Sequence, residues 1–178
     1  MRIFDVSRRL ISVSAVAGAA LFLSAGPGAA QQHTTLGEFG PWQAYEYEQG
    51  GGKRCTQASQ PQSDEGDYSR RGPIWAFVMH RPADNATGEI GFHMGYPLRE
   101  GSQVTVRIDG GATFQLFTSG EGAYAWPEDE PSIVRAMRAG NTMVVTGTSA
   151  RGTETRDTYS LSGFTAANRA INSACGVS

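Results

Sequence analysis

The side chains able to do chemistry are few and scattered. Three histidines, His33, His80 and His93, and two cysteines, Cys55 and Cys175, are the whole complement of imidazoles and thiols. His80 and His93 could meet across neighbouring strands, and two imidazoles there could hold a metal or act as a base. No HExxH, no adjacent cysteine pair and no acid at ligand spacing accompanies them, so each is expected to be an ordinary core or surface histidine. Ser149 lies in Gly147-Thr148-Ser149-Ala150-Arg151-Gly152, which approaches the GxSxG pattern of serine hydrolases. That pattern works where serine tops a sharp strand-to-helix turn, and here it falls in a hairpin turn. A small secreted hydrolase using Ser149 or a His80/His93 site is the alternative function, and no residue is assigned as catalytic. Glu128-Asp129-Glu130 precedes a helix, where acids favour the positive end of the helix dipole. Gly50-Gly51-Gly52 lacks the Lys-Ser/Thr and helix of a phosphate-cradling loop. No cofactor and no metal is expected.

The aromatic residues are the remaining candidates. Trp42, Trp75 and Trp126, with Tyr96 and Tyr124, could build a ligand or partner patch, because Tyr and Trp are favoured interface anchors. Trp75 sits in an apolar run and is read as core. Gly122-Ala123-Tyr124-Ala125-Trp126-Pro127 joins a strand to a helix, and loops carry function more often than cores do. Tyr124, Trp126 and Tyr96 are therefore the candidate partner-binding residues, with core capping as their plainer role.

The elements that must hold these residues are mostly strands. Trp42 to Glu48 alternates in character, and Arg54 to Ser59 reads as its return strand. Gln60 to Arg71 shows no periodicity and reads as an exposed loop. Ile74 to His80 is too short an apolar run for a typical helix and fits a buried central strand. Pro82 to Gly88 reads as a turn and Glu89 to Gly95 as a strand. Val104, Val106 and Ile108 alternate with polar residues, turn at Asp109-Gly110-Gly111 and return with Phe114 and Leu116 on one side. Thr142–Ser149 and Thr153–Ser162 form a last hairpin. Helices are expected over Pro131 to Ala139, stopped by Gly140, and from about Thr165 to Ala174, where Ala167, Ala170, Ile171 and Ala174 form an apolar stripe. Many short strands with two short helices, one of them C-terminal, predict a mainly β chain folded as a β-sandwich.

The ends say where the chain works. Arg2, Arg8 and Arg9 precede an apolar stretch from Leu10 to Ala25, then Pro27 and the small residues Gly28-Ala29-Ala30. That order is a cleavable signal peptide over residues 1–30, cut between Ala30 and Gln31. The run falls short of the ~20 apolar residues that cross a bilayer. No cysteine stands at the cleavage site to take a lipid anchor, so the mature chain is expected to be periplasmic or secreted, without stable membrane insertion. Residues 31–38 read as a flexible tail and 39–178 as one domain. The chain carries 15 basic and 17 acidic side chains; the signal removes three arginines and one aspartate, leaving 12 and 16, a formal net of −4. A mildly acidic chain with one lysine, Lys53, lacks the basic patch that nucleic acid requires. In an oxidising compartment Cys55 and Cys175 are expected to pair as a disulfide. Closing a loop of that length is worth ~4–5 kcal/mol on chain-entropy arguments.

Several segments together resemble a known family. They are Phe39-Gly40-Pro41-Trp42, Gly51-Gly52-Lys53-Arg54-Cys55, His80-Arg81-Pro82-Ala83, Gly95-Tyr96-Pro97-Leu98 with Gly101-Ser102, and the long stretch Met143 to Thr155 continued by Asp157-Thr158-Tyr159-Ser160-Leu161. The chain is similar, in order from Phe39 to Cys175, to the invasion-associated locus B family of exported bacterial proteins. It departs at Pro41, where the family often has Asp or another polar residue before the Trp. The resemblance implies an immunoglobulin-like β-sandwich, residence in the periplasm or cell envelope, and no assigned enzymatic chemistry. The expected function is a binding or interaction protein whose partner is an unknown protein or envelope component, linked to host-cell invasion or envelope stress.

Overall fold

The computed structural model describes residues 33–177. The expected signal peptide and its cleavage site at Ala30 and Gln31 lie outside the described residues. Eleven strands follow one another: β1 His33–Phe39, β2 Trp42–Gln49, β3 Gly52–Ser59, β4 Ser63–Gly66, β5 Trp75–Arg81, β6 Ala86–His93, β7 Gln103–Ile108, β8 Ala112–Ser119, β9 Gly122–Tyr124, β10 Thr142–Thr148 and β11 Glu154–Ser160. Helix α1 is Glu130–Ala139, between β9 and β10, and α2 is Phe164–Cys175, after β11. Hydrogen bonding links the strands in the order β1-β2-β3-β5-β6-β9-β8-β7-β10-β11-β4, with every pair antiparallel.

The sheet is continuous, yet it works as a sandwich. Three-residue β9 pairs with β6 on one side and β8 on the other, so it is the hinge at which the sheet turns over. Alternation decides what each half buries. Ala76, Val78, Ile90 and Phe92 from one half and Val104, Val106, Leu116, Met143, Val145 and Tyr159 from the other share one core. Rings of Phe92 and Tyr159 meet edge-on at 6.1 Å across it. Trp42 is wholly buried, donates its indole N–H to the Ser160 carbonyl at 2.9 Å and meets Phe164 edge-on at 5.0 Å. A buried indole needs such an acceptor, because an unpaired donor away from water is costly. The mainly β, sandwich-like architecture with two helices, the last C-terminal, is the one expected.

Helix α2 covers the inner side of the first half. Its apolar stripe, Phe164, Ala167 and Ile171, is buried, and Cys175 at its end is bonded to Cys55 on β3 across a separation of 120 residues. The chain enters α2 at Gly163, whose φ of 84° and close approach to the Phe39 carbonyl admit no side chain.

Three expectations are corrected. Residues 33–38 do not form a tail: from His33 the chain is β1, paired with β2 and anchored by Leu36 and Phe39 against the core. The segment read as a loop over Gln60 to Arg71 contains β4, which pairs with β11 at the opposite edge. Both are edge strands held by the backbone ladder, so they carry little hydrophobic alternation for a sequence reading to find. Trp75 is not core. Strand β5 turns Ala76, Val78 and His80 inward and leaves Trp75, Phe77 and Met79 half-exposed on the outer face.

Candidate functional site

The hydrolase residues are not brought together. His80 is buried on the inner face: its Nε2 donates to Asn172 Oδ1 of α2 at 2.9 Å, and its Nδ1 accepts the Gly88 N–H at 2.9 Å. Burial lowers its pKa, against the Asn172 hydrogen bond and the Glu89 charge, which raise it. This is a neutral imidazole tying α2 to the sheet. His93 pairs with Trp75 on the outer face and binds Pro73 O at 2.9 Å. Ser149 is buried in the β10–β11 turn, where its Oγ accepts the Thr153 N–H at 3.1 Å. Each ring nitrogen of His80 is held by a group other than Ser149, and the two histidines face opposite sides of the sheet.

The partner-binding candidates divide. Tyr96 is half-buried, its hydroxyl 2.5 Å from Thr155 Oγ1 and its ring 5.0 Å from the Arg71 guanidinium carbon. It is occupied by structural work. Tyr124 and Trp126 are 37 % and 44 % exposed and belong to one surface. Register explains why. Gln43 on β2, Ala58 on β3, Phe77 on β5, Gly91 on β6, Tyr124 on β9 and Phe117 on β8 are successive cross-strand partners. Directly opposed residues share a face, so their side chains form one row across the sheet.

Along that row Phe77 and Tyr124 are 6.4 Å apart, Tyr124 and Phe117 5.8 Å, and Phe117 and Trp126 4.6 Å. Gly91 floors it: a side chain there would run into the Phe77 ring, so glycine is what lets the ring lie over the backbone. On the far side of Phe77 the surface becomes a trough of about 370 Å³. Tyr45 and Tyr47, stacked at 6.0 Å, form one wall, and Trp75, Phe77 and Met79 the other. The short side chains of Thr56 and Ala58 on the intervening β3 form its floor. Thr56 Oγ1 is buried there without a hydrogen-bond partner, a state that costs about 1–3 kcal/mol for a polar group away from water.

Sequence reasoning found Tyr124 and Trp126 but missed Phe77, Phe117, Trp75, Met79, Tyr45 and Tyr47. The run from Ile74 to His80 reads as a buried strand, and because both faces of β5 are apolar only strand pairing distinguishes the covered face from the open one.

Among the described residues no helix is long and apolar enough to cross a membrane. No curated protein matches the sequence. The crystal structure of invasion associated protein b from Bartonella henselae is similar, with a TM-score of 0.57 and 20% identity over 79% of this chain and 96% of that one. At that identity the likeness speaks for the fold. The family model described as invasion associated locus B (IalB) protein matches residues 42–172, most of the chain. This chain is a member of the invasion associated locus B family.

Proposed function

We propose that the chain is exported by its signal peptide and serves in the bacterial envelope as a binding module that docks a protein partner on the outer aromatic face. The observation that carries this reading is the row Phe77–Tyr124–Phe117–Trp126 continuing into the Tyr45/Trp75 trough. Isolated exposed apolar side chains are normal on a protein surface, whereas a joined row of aromatics marks a contact site. Tyr and Trp bury large areas at small entropic cost and dominate interface energetics. The trough would take an apolar side chain of the partner, and a polar atom beside it would satisfy Thr56 Oγ1. The scattered His80, His93 and Ser149 favour this reading over a hydrolase. The invasion label of the family is a reason to look for that partner in the envelope or on a host-cell surface.

The test is affinity capture by the mature protein from bacterial envelope extract and, separately, from host-cell membranes. A discrete partner is expected from one source, and Trp126→Ala with Tyr124→Ala should weaken it by about 2 kcal/mol or more, the cost of truncating interface hot spots. Arg169→Gln, exposed on α2 on the other side of the sheet from the row, should leave capture intact. Equal capture by the aromatic variant, or none from either source, would defeat the proposal.

A further inference from the structure

A second, polar cleft of about 760 Å³ lies between the 67–72 segment, the Gly95-Tyr96-Pro97 turn and the β10–β11 turn. It shares no lining residue with the aromatic trough. Its volume falls within the range of small-molecule sites, about 300–1,000 Å³. Charge sets it apart from the rest of this net-acidic chain: Arg70, Arg71 and Arg151 line it against one lining acid, Asp67, and with Arg71 neutralised by Asp157 the positive surplus comes from Arg70 and Arg151.

The three arginines have different duties. Arg71 is buried and committed, both terminal nitrogens on Asp157 at 2.6 Å and its Nε on the Met94 carbonyl at 2.8 Å. Arg70 and Arg151 are exposed, and neither has a carboxylate within 4.0 Å among the ion pairs of the described residues. They come from opposite walls. Arg99, outside the lining, brings its guanidinium beside Gly152 in the β10–β11 turn. Like charges gathered around a concave surface focus a positive potential, which draws anions.

The walls are already built. Arg71 pins the 67–72 segment to both halves of the sandwich. Ser149 accepts Thr153 N–H through its side chain at 3.1 Å and donates its own N–H to Thr153 O at 2.8 Å, which closes the opposite turn. Ala150 N–H binds Pro97 O and Arg99 N–H binds Thr148 O, at 2.8 and 3.0 Å, tying that turn to the third wall. A ligand therefore meets a formed site and does not have to order it, which favours affinity. Hydroxyls line the cleft with the arginines: Ser149 Oγ keeps its own proton to donate, Thr153 Oγ1 reaches the Asp67 carbonyl at 3.5 Å and can still accept, and the Tyr96 hydroxyl is held by Thr155.

We propose that this cleft binds an anionic saccharide, a sugar acid or sugar phosphate whose charged group lies between Arg70 and Arg151 and whose ring hydroxyls meet Ser149 and Thr153. Guanidinium forks suit carboxylate and phosphate alike, and the hydroxyl lining suits a polyhydroxylated ring. The proposal does not rest on the aromatic docking surface.

Calorimetry on the mature, oxidised protein tests it with four probes: glucuronate, glucose 6-phosphate, glucose and inorganic phosphate. The two charged sugars should bind, with glucose and inorganic phosphate about tenfold weaker or more, since each lacks half of the recognised chemistry. Whichever charged sugar binds more tightly identifies the anion source. Arg70→Gln and Arg151→Gln should each weaken binding about tenfold with the melting temperature unchanged, and added salt should weaken it further. No binding by either charged sugar, equal binding of glucose, equal binding of inorganic phosphate, or indifference to both substitutions would each overturn the proposal.

Discussion

Asp157 and Arg71 form a bidentate ion pair, both oxygens 2.6 Å from the two terminal guanidinium nitrogens, with the two side chains 0 % and 4 % exposed. The aspartate belongs to β11 and the arginine to the segment between β4 and β5. The same guanidinium reaches the Met94 carbonyl after β6 and lies 5.5 and 5.0 Å from the ring centres of Tyr68 and Tyr96. One side chain therefore ties an irregular segment to both halves of the sandwich.

Removing one partner of that pair strands a buried charge. Asp157→Asn is expected to destabilise the protein by about 3–5 kcal/mol, whereas the double replacement Asp157→Leu with Arg71→Met should recover much of the loss. Denaturant unfolding of the three variants checks this. Equal stability of Asp157→Asn and wild type would mean that the pair is not load-sharing.

The disulfide makes its own demand. Peptide mapping without reductant should recover Cys55 and Cys175 in one linked species. Replacing both with alanine should cost about 2–5 kcal/mol, the usual loss when a small domain is deprived of a native disulfide. The melting temperature in the presence and absence of reductant gives the same comparison, and two alkylatable thiols in the untreated protein would contradict it.

Gly91→Ala should destabilise the protein, because the new methyl group collides with the Phe77 ring. The expected loss is about 1–3 kcal/mol, the range for an overpacked site. In an open strand the same change would stabilise by roughly 0.5–1 kcal/mol, so the sign alone is diagnostic. Thermal unfolding reads it, and partner capture should fall in parallel as Phe77 leaves the row.

Glu130 opens α1 in a half-buried position. Burial first, and then the Glu89 carboxylate, push it up to about 7, against a backbone hydrogen bond with Ile90 that lowers it. The folded protein then holds a proton that the unfolded chain has released between about 4.5 and about 7. Stability from this group is present at the acidic end of that window and is lost as pH rises through 7. His80 acts in the opposite sense. Its lowered pKa means that its contribution is present above 6.5, the ordinary histidine value, and declines as pH falls below it. Carbon-detected NMR titration should place the Glu130 midpoint near neutrality, and Glu130→Gln should remove that loss of stability on the alkaline side. A midpoint in the ordinary carboxylate range would refute it.

Much of this protein is legible in its residues. The alternation of Val104, Val106 and Ile108, the turn at Asp109-Gly110-Gly111 and the apolar stripe of α2 are local patterns, so composition and spacing alone place them. The Cys55–Cys175 pairing follows from there being two cysteines in a chain expected to be exported. Segment similarity was enough for the family. The edge strands β1 and β4 were not legible, because they are held by backbone bonds to a neighbour whose position is a tertiary matter. Nor was the use of Arg71, which sits in a polar run like any solvated charge until the fold closes Asp157 over it. The aromatic face belongs to the same class. Tyr124 and Trp126 could be suspected from their loop, but Phe77, Gly91 and Phe117 become one row only when β5, β6, β9 and β8 are set in register. Sequence determined which residues alternate; tertiary structure decided which apolar face is covered, because burial depends on what packs against a strand and not on the strand itself.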